Sequence, residues 1–452
     1  MRASASPRRD DFRATKDGSG RESAAFESRI SRLGFPTNPR PPTTRASFAS
    51  HGLTHIGGKR DNQDEVLVDD RFMGDPDMKL YCVFDGHGQH GGAAARFARD
   101  FLPTQLAFEL EKSAAASRAA RRTVDAARLD GDERPPRVFG ERPFGAIALA
   151  SLVEVDPEII SQSLVRAFTV TDAEMRYEPW ECALSGTTAI VALVIRDVMY
   201  VAHAGDSRAI VVFDALDDDP PPRLAERVGG FFKRLLRRRE RGGVSSSRAS
   251  KTTIARESPA NGEGEGVTGA ASPSSTGAAS PSSPFENRLD AEQLTFDHRP
   301  GSERARLENA GGRVAARRGG TRGDAEIGPE RLFLRDARLP GILLSRSLGD
   351  EVASSVGCFA VPEIARREVR KRDRALILAS DGVWDAVDNE QVATALERTA
   401  AEIREASRCD GIGERPEKIV ARTTRDAALA GWARRGELAD NVGVVAVMLD
   451  VD

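Results

Sequence analysis

The sequence predicts an α+β fold, on three observations. Apolar strand-like runs come in adjacent pairs, helical patterns fall in separate blocks, and no repeating strand–helix–strand series of the kind that builds a parallel sheet is present. The clearest pair, residues 187–195 and 198–204, is joined by a tight turn at Arg196-Asp197 and reads as a hairpin in an antiparallel sheet.

In chain order, residues 1–48 mix Arg, Ser, Pro and Thr without periodicity and read as a disordered tail, with ordered sequence expected from about Ala49. The apolar run 80–84 reads as a buried strand, followed by a glycine-rich turn and a helix whose pattern uses Phe97, Phe101 and Phe108. Residues 113–145 revert to Ala, Arg, Asp and Pro, a first insertion. A helix opens at Pro157, with Ile160, Leu164, Val165 and Phe168 at the three-and-four spacing of one face. Residues 214–288 are acidic and Pro-rich, then basic, then repeats such as ASPSSTGAASPSSP, a composition that cannot bury a core, and read as a second insertion. Order resumes near Leu289, with a strand at 375–379, helices at 389–399 and from Pro416, and a closing strand at 442–449. One domain over 49–452, interrupted twice, is therefore expected rather than several.

Composition narrows the function. Lys+Arg 66 against Asp+Glu 69 gives a net charge of −3, so no global field argues for nucleic acid. The four cysteines, Cys82, Cys182, Cys358 and Cys409, lie far apart with no CxxC pair, which points to reduced thiols in an intracellular setting, cytoplasm or nucleus, and against a structural zinc. No uncharged apolar run reaches the roughly 18 residues of a membrane span. The N-terminus carries Asp10, Asp11 and Asp17 and lacks an apolar core, so it is not a secretory signal; an organelle transit peptide is the weaker alternative.

The chemistry is carried by a repeated pattern in which an apolar strand ends or begins at an aspartate beside Gly, Ser or Asn. Asp85-Gly86-His87-Gly88 and Asp381-Gly382 follow strands; Gly205-Asp206-Ser207 follows another; Asp440-Asn441 and Asn62-Gln63-Asp64 precede strands. A single Asp-Gly is usually only a turn. Five converging acids would repel one another unless cations offset them, and oxygen-only donors suit Mg²⁺ or Mn²⁺ rather than zinc or copper. A pair of such ions can lower the pKa of a bound water and place positive charge on phosphoryl oxygens. His87, titrating near neutral pH, could protonate a leaving alkoxide.

These segments, VFDGHGQHGG (83–92), SGTTA (185–189), GDSR (205–208), LTFDHRP (294–300) with AGGRV (310–314), SRSLGD (345–350), ASDGVWD (379–385) and DNVGVVAV (440–447), resemble in order and rough spacing the protein phosphatase 2C, or metal-dependent protein phosphatase, family. The resemblance implies a central sandwich of two antiparallel sheets flanked by helices, with a binuclear site at one end and hydrolysis of phosphoserine and phosphothreonine in proteins by a metal-bound hydroxide. It implies that Asp85 bridges two metals, that the Gly86 carbonyl, Asp381 and Asp440 complete their ligands, that Asp64 acts in or near the shell, that Asp206 and Asp385 belong to a looser third metal, and that His87 is the acid. Where the family carries an arginine for substrate phosphate, this chain has Lys59 with Arg60 beside it, and Gln63 stands where an acid is often found. Lysine lacks the bidentate fork of a guanidinium.

Residues 228–241, VGGFFKRLLRRRER, carry a basic amphipathic signal that reads as docking on an anionic membrane, a regulatory partner or the protein's own surface, as nuclear import, or as a solvated part of the insertion. Expected partners are phosphoproteins, with no nucleic acid, and the chain is expected to be a monomer.

Overall fold

The computed structural model describes residues 46–128, 156–215, 226–227, 288–319, 325–408 and 414–451. The chain divides into two compact units. The smaller comprises Met1–Pro42 and Ala114–Glu154, of which the helix to Arg128 is described; the larger comprises Thr43–Ser113 and Val155–Asp452 and carries every other element below. The basic amphipathic stretch 228–241 and the Ser-Pro repeats lie outside the described residues.

Two antiparallel sheets form a sandwich. The first runs from edge to edge as β1 (Ala46–His55), β16 (Val442–Val451), β15 (Asp373–Ala379), β7 (Arg208–Asp214) and β9 (Leu289–Gln293). The second runs β13 (Leu348–Gly349), β4 (Gly186–Thr187), β3 (Met78–His87), β5 (Ala189–Ile195), β6 (Val198–Ala204), β14 (Glu363–Glu368) and β8 (Glu226–Arg227), with β2 (Asp64–Asp69) also paired to β3. A small third sheet holds β10 (Gly312–Gly319), β11 (Ala325–Leu334) and β12 (Pro340–Ile342). The expected hairpin is β5–β6, and Arg196 makes its turn with a positive φ of 54°.

Strand alternation explains the layering. Tyr81 and Val83 of β3, Ile190, Ala192 and Val194 of β5, and Met199 and Val201 of β6 meet Ala209, Val211, Leu376, Leu378, Val445 and Val447 in one buried cluster between the sheets. The residues that alternate with these on the first sheet, Ile210, Val212, Ala375, Ile377, Ala379, Val444 and Ala446, pack on the other face against α5 (Asp381–Trp384), α6 (Asn389–Arg408) and α7 (Pro416–Arg435). Because both faces are covered, these strands read as continuous apolar runs rather than as alternating ones.

Two longer helices follow β3 in the chain, α1 (Gly91–Arg128) and α2 (Pro157–Met175). In α2, Ile160, Leu164 and Phe168 are buried as their spacing requires, and Asp156 caps the helix through the Glu158 amide. In α1 the expected face is displaced. Ala94, Ala98, Leu102, Leu106 and Leu110 form the buried line at i, i+4, while Phe108 is 52% exposed and Phe97 and Phe101 stack on each other, half-buried. The buried line is therefore made of small and aliphatic side chains rather than aromatic ones. The helix also runs on to Arg128, into the stretch read as a first insertion. Two short helices, α3 (Arg304–Asn309) and α4 (Glu351–Ser354), and a 3-10 turn at Phe72–Gly74 complete the described elements.

Candidate metal and phosphate site

Four of the expected acids come from four sequence-distant segments and meet at one end of the sandwich. Asp64 opens β2 and pairs directly across from Asp85 near the end of β3, so the two carboxylates are placed together by strand register. Asp381 starts α5 after β15, and Asp440 lies just before β16, the strand paired to β15. Gly382 passes so close to that segment that an added Cβ would sit 1.8 Å from the Asn441 carbonyl, which presses the Asp381 and Asp440 motifs together. Gly57, at φ +62°, likewise folds its loop onto the Asp440 carbonyl and delivers Lys59. Buried Asn441 holds this corner, giving hydrogen bonds to the Ile56 and Asp61 carbonyls and accepting one from the Gln63 amide.

The electrostatics call for cations. Burial, then the charges of Asp64, Asp381 and Asp206, pushes Asp85 well above the ordinary carboxylate range, and hydrogen-bonding reach to Asp381 adds to this. Burial followed by Asp206, Asp385 and Asp440 does the same to Asp381. Asp64 is raised to about 7, chiefly by burial, even though Ser380 Oγ donates to its Oδ2 at 2.7 Å. Its other oxygen, Oδ1, is buried without a hydrogen-bond partner. Two like charges about 4 Å apart cost about 4 kcal/mol at an effective dielectric near 20. These acids must therefore bind protons or cations, and the all-oxygen donor set with an orphaned Asp64 oxygen suits hard divalent ions.

The one described basic side chain in contact with the group is Lys59, whose Nζ lies 2.8 Å from Asp440 Oδ1; burial lowers its pKa, but Asp440 more than offsets this and the net shift is upward. Arg60 is exposed. Gln63 donates through Nε2 to the Gly88 carbonyl, and its own carbonyl accepts from the Gly86 amide, so it braces the Asp85-Gly86-His87 turn from outside. Thr188 supports the same turn, receiving the Asp85 amide on its hydroxyl and donating its own amide to the Asp85 carbonyl.

His87 has a partner that the sequence did not reveal. Its Nε2 lies 2.7 Å from Asp350 Oδ2, with the Asp350 side chain 3% exposed and that of His87 27% exposed. Asp350, in SRSLGD, adopts a left-handed backbone at φ 46°, an uncommon geometry for a non-glycine residue, and also accepts from Ser347 Oγ at 2.6 Å. Burial lowers the His87 pKa, but the Asp350 charge and hydrogen bond override it and the net shift is upward. No spacing rule links residues 87 and 350; only the pairing of β4 with both β3 and β13 brings them together.

Asp206 and Asp385 face each other across Arg299 of the DHRP segment, whose guanidinium lies 3.4 Å from Asp206 and 3.1 Å from Asp385. Asp206 is raised to about 6 by burial, with Arg299 opposing the shift.

A tighter group lies beneath. Ligand atoms of His203, His298 and Glu363 are all within 4.8 Å of one another, and the two imidazoles stack at 4.3 Å. Its tautomers argue against a metal. His298 Nδ1 accepts from the Gly205 amide, which leaves the ring proton on Nε2, the atom that would have to offer a lone pair. His203 Nε2 lies 2.8 Å from the Phe296 carbonyl and carries its proton there. Burial lowers both pKa values, so the rings stay neutral and pack, as residues of a core would. Arg346 is likewise structural: it is buried and paired with Glu303 at 2.8 Å and Glu363 at 3.3 Å.

Comparison with known proteins agrees with this geometry. A family model described as protein phosphatase 2C matches residues 149–215 and 285–432, two stretches that flank the Ser-Pro-rich segment and include Asp206, Asp381 and Asp385. "Probable protein phosphatase 2C 73" of Arabidopsis thaliana is 26% identical over 398 residues, covering 87% of this chain and 77% of the relative. "Probable protein phosphatase 2C 48" of Oryza sativa subsp. japonica is 29% identical over 353 residues, covering 76% and 72%. Among solved structures, a serine-threonine phosphatase 2C from Toxoplasma gondii superposes with a TM-score of 0.54 at 18% identity, covering 91% of this chain and 98% of that one, a likeness of fold.

Proposed function

On the premise that this chain resembles the protein phosphatase 2C family in sequence and fold, we propose that it is a metal-dependent protein serine/threonine phosphatase whose reaction centre is the Asp64, Asp85, Asp381 and Asp440 group. The observation that carries the assignment is the under-neutralised acid cluster beside His87, whose pKa burial lowers but the Asp350 carboxylate raises on balance. Two divalent cations, Mg²⁺ or Mn²⁺, held by these acids and the Gly86 carbonyl, supply when bound a water of lowered pKa and positive charge against the phosphoryl oxygens.

The chain's own residues do the rest. Lys59 carries a positive charge at the edge of the acid group and draws in the substrate phosphate, as a point charge rather than a fork. The attacking water oxygen bonds to phosphorus as the bond to the seryl or threonyl oxygen breaks, and His87 gives that oxygen a proton so that it leaves as an alcohol. No phosphoenzyme forms. Asp350 holds the His87 ring through Nε2 and stabilises its protonated form. Substrates are phosphoproteins. No helix among the described residues is long and apolar enough to cross a membrane.

The test is phosphate release from a phosphothreonine peptide with Mn²⁺ or Mg²⁺, with an EDTA control and Asp381→Asn alongside. Metal-dependent release that disappears in the variant is expected. Tight Mn²⁺ binding with no release from any phosphopeptide would overturn the enzyme assignment and leave a phosphoprotein-binding module, with Lys59 and Gln63 as the departures to examine.

A further inference from the structure

The residues around Asp206 differ from those around Asp85 in one respect that bears on how many ions the protein takes. Asp206, Asp297 and Asp385 form a second acidic corner, and two guanidinium groups lie in it. Arg208 binds Asp297 through Nε at 3.1 Å and through a terminal nitrogen at 2.9 Å, a two-pronged pair, and also reaches Asn389 Oδ1 at 3.2 Å. Arg299 lies between the other two acids, 3.4 Å from Asp206 and 3.1 Å from Asp385, with Asp297 at 3.8 Å.

Arg299 is held there by its backbone. The Arg299 carbonyl accepts from both the amide and the hydroxyl of Ser302, and the preceding His298 is fixed by its amide to the Gly205 carbonyl and by its ring to the Gly205 amide. Pro300 follows and restricts the chain further. The backbone that bears the guanidinium is therefore braced within its own turn by Ser302 and tied by His298 to the loop that carries Asp206.

We propose that Arg299 is a built-in cation that takes the place of a third metal ion, so that this chain binds two divalent ions and not three. A third ion using Asp206 and Asp385 would have to displace a guanidinium already in ion-pair contact with both, or share the space with it at the cost of direct repulsion. Among the described residues no arginine lies between the Asp64, Asp85 and Asp381 carboxylates, which keep their demand for metal.

The inference rests on the metal-dependent reading above, and its test separates the two. Mn²⁺ is titrated into the full chain by calorimetry, and bound manganese is counted after removal of free ion. Two ions per chain are expected in the wild type, three in Arg299→Met, and two again when Asp385→Asn is added to Arg299→Met. Three ions in the wild type would overturn the inference alone, and this count needs no variant. A count of two in an Arg299→Met protein that keeps its two tight ions would overturn it as well. No bound ion in the wild type would instead bring down the metal-dependent reading on which it stands. Asp385→Asn in the wild-type background gives an independent check: the count is expected to stay at two, whereas a fall by one would mean that Asp385 had been serving a metal.

Discussion

Apart from backbone amides and one another, Asp64, Asp85, Asp381 and Asp440 are met among the described residues by one lysine, on Asp440, and one serine hydroxyl, on Asp64, whereas Asp206, Asp297 and Asp385 enclose Arg208 and Arg299. The two regions adjoin, since Asp206 and Asp385 both raise the pKa of Asp381. Both are acidic, but of the second region only Asp206 came from the sequence pattern of an aspartate at a strand end; Asp385 was expected from the family resemblance alone. The difference lies in what the neighbouring loop brings. The loops after β3 and β15 bring glycines, which allow carboxylates and backbone to crowd together, while the loop after β9 brings an arginine. On the reading proposed above, counting acids does not count metals, because a guanidinium within a cluster lowers its demand for cations.

The comparison breaks most sharply in paired substitutions. Asp381→Asn is expected to reduce phosphopeptide turnover by more than about 100-fold, the upper range seen for supporting residues around metal sites, because on the proposed function it removes a ligand itself. Asp385→Asn, which on this account frees a guanidinium rather than losing a metal, is expected to cost less than about 10-fold. Steady-state rates at saturating Mn²⁺ decide the matter, and equal losses in the two variants would remove the distinction between the regions.

The His87 and Asp350 pair offers a smaller effect of a different kind. General acid catalysis is worth about 10² to 10⁴ in rate, and it matters in proportion to how poor the leaving group is. His87→Gln should therefore lose about 100-fold on a phosphothreonine peptide and far less on p-nitrophenyl phosphate, whose leaving oxygen needs no proton. Asp350→Asn should follow the same pattern with a smaller loss, about 10-fold on the peptide, since it leaves the imidazole in place. Parallel losses on both substrates would mean that the pair only supports the fold.

Much of this site was legible in the sequence because strand ends are local features: an apolar run stopping at Asp-Gly locates Asp85 and Asp381 without any knowledge of pairing. The hairpin 187–204 and the helix from Pro157 were legible for the same reason, one from its turn and the other from its cap and periodicity. What could not be read depends on long-range register. Asp350 meets His87 only through β4, a two-residue strand with no signature of its own, and Arg299 enters the Asp206 corner only because the DHRP loop folds back on Gly205. The buried face of α1 was misjudged because aromatic residues draw the eye, whereas alanine and leucine form the buried line there. The strands of the small third sheet, which are short or rich in charge, gave no apolar period.

The smallest expected effect concerns Lys59 and Asp64, where the two regions' logic can be seen without turnover. Lys59 is half-exposed, so its ion pair with Asp440 is worth little, about 0.2 to 1 kcal/mol for pairs of this kind. Lys59→Met should tighten Mn²⁺ by at most about fivefold while raising KM for the phosphopeptide more than it lowers kcat. Asp64 shows the same economy through pH. Its carboxyl is raised in the folded protein to about 7 from an ordinary value near 4, so its folded form holds a proton that the unfolded chain has lost. The sign is then fixed: in metal-free protein this group's contribution to stability is intact below about pH 4, declines as pH rises, and is gone above about 7. With EDTA present, Asp64→Asn should gain in Tm relative to wild type between pH 5 and pH 8, and Mn²⁺ should abolish or reverse the gain, because an ion satisfies the charge that the amide merely removes. A Tm difference between the two proteins that is flat with pH in EDTA would mean that Asp64 does not carry the buried charge assigned to it, and that the demand for cations is concentrated on Asp85 and Asp381 alone.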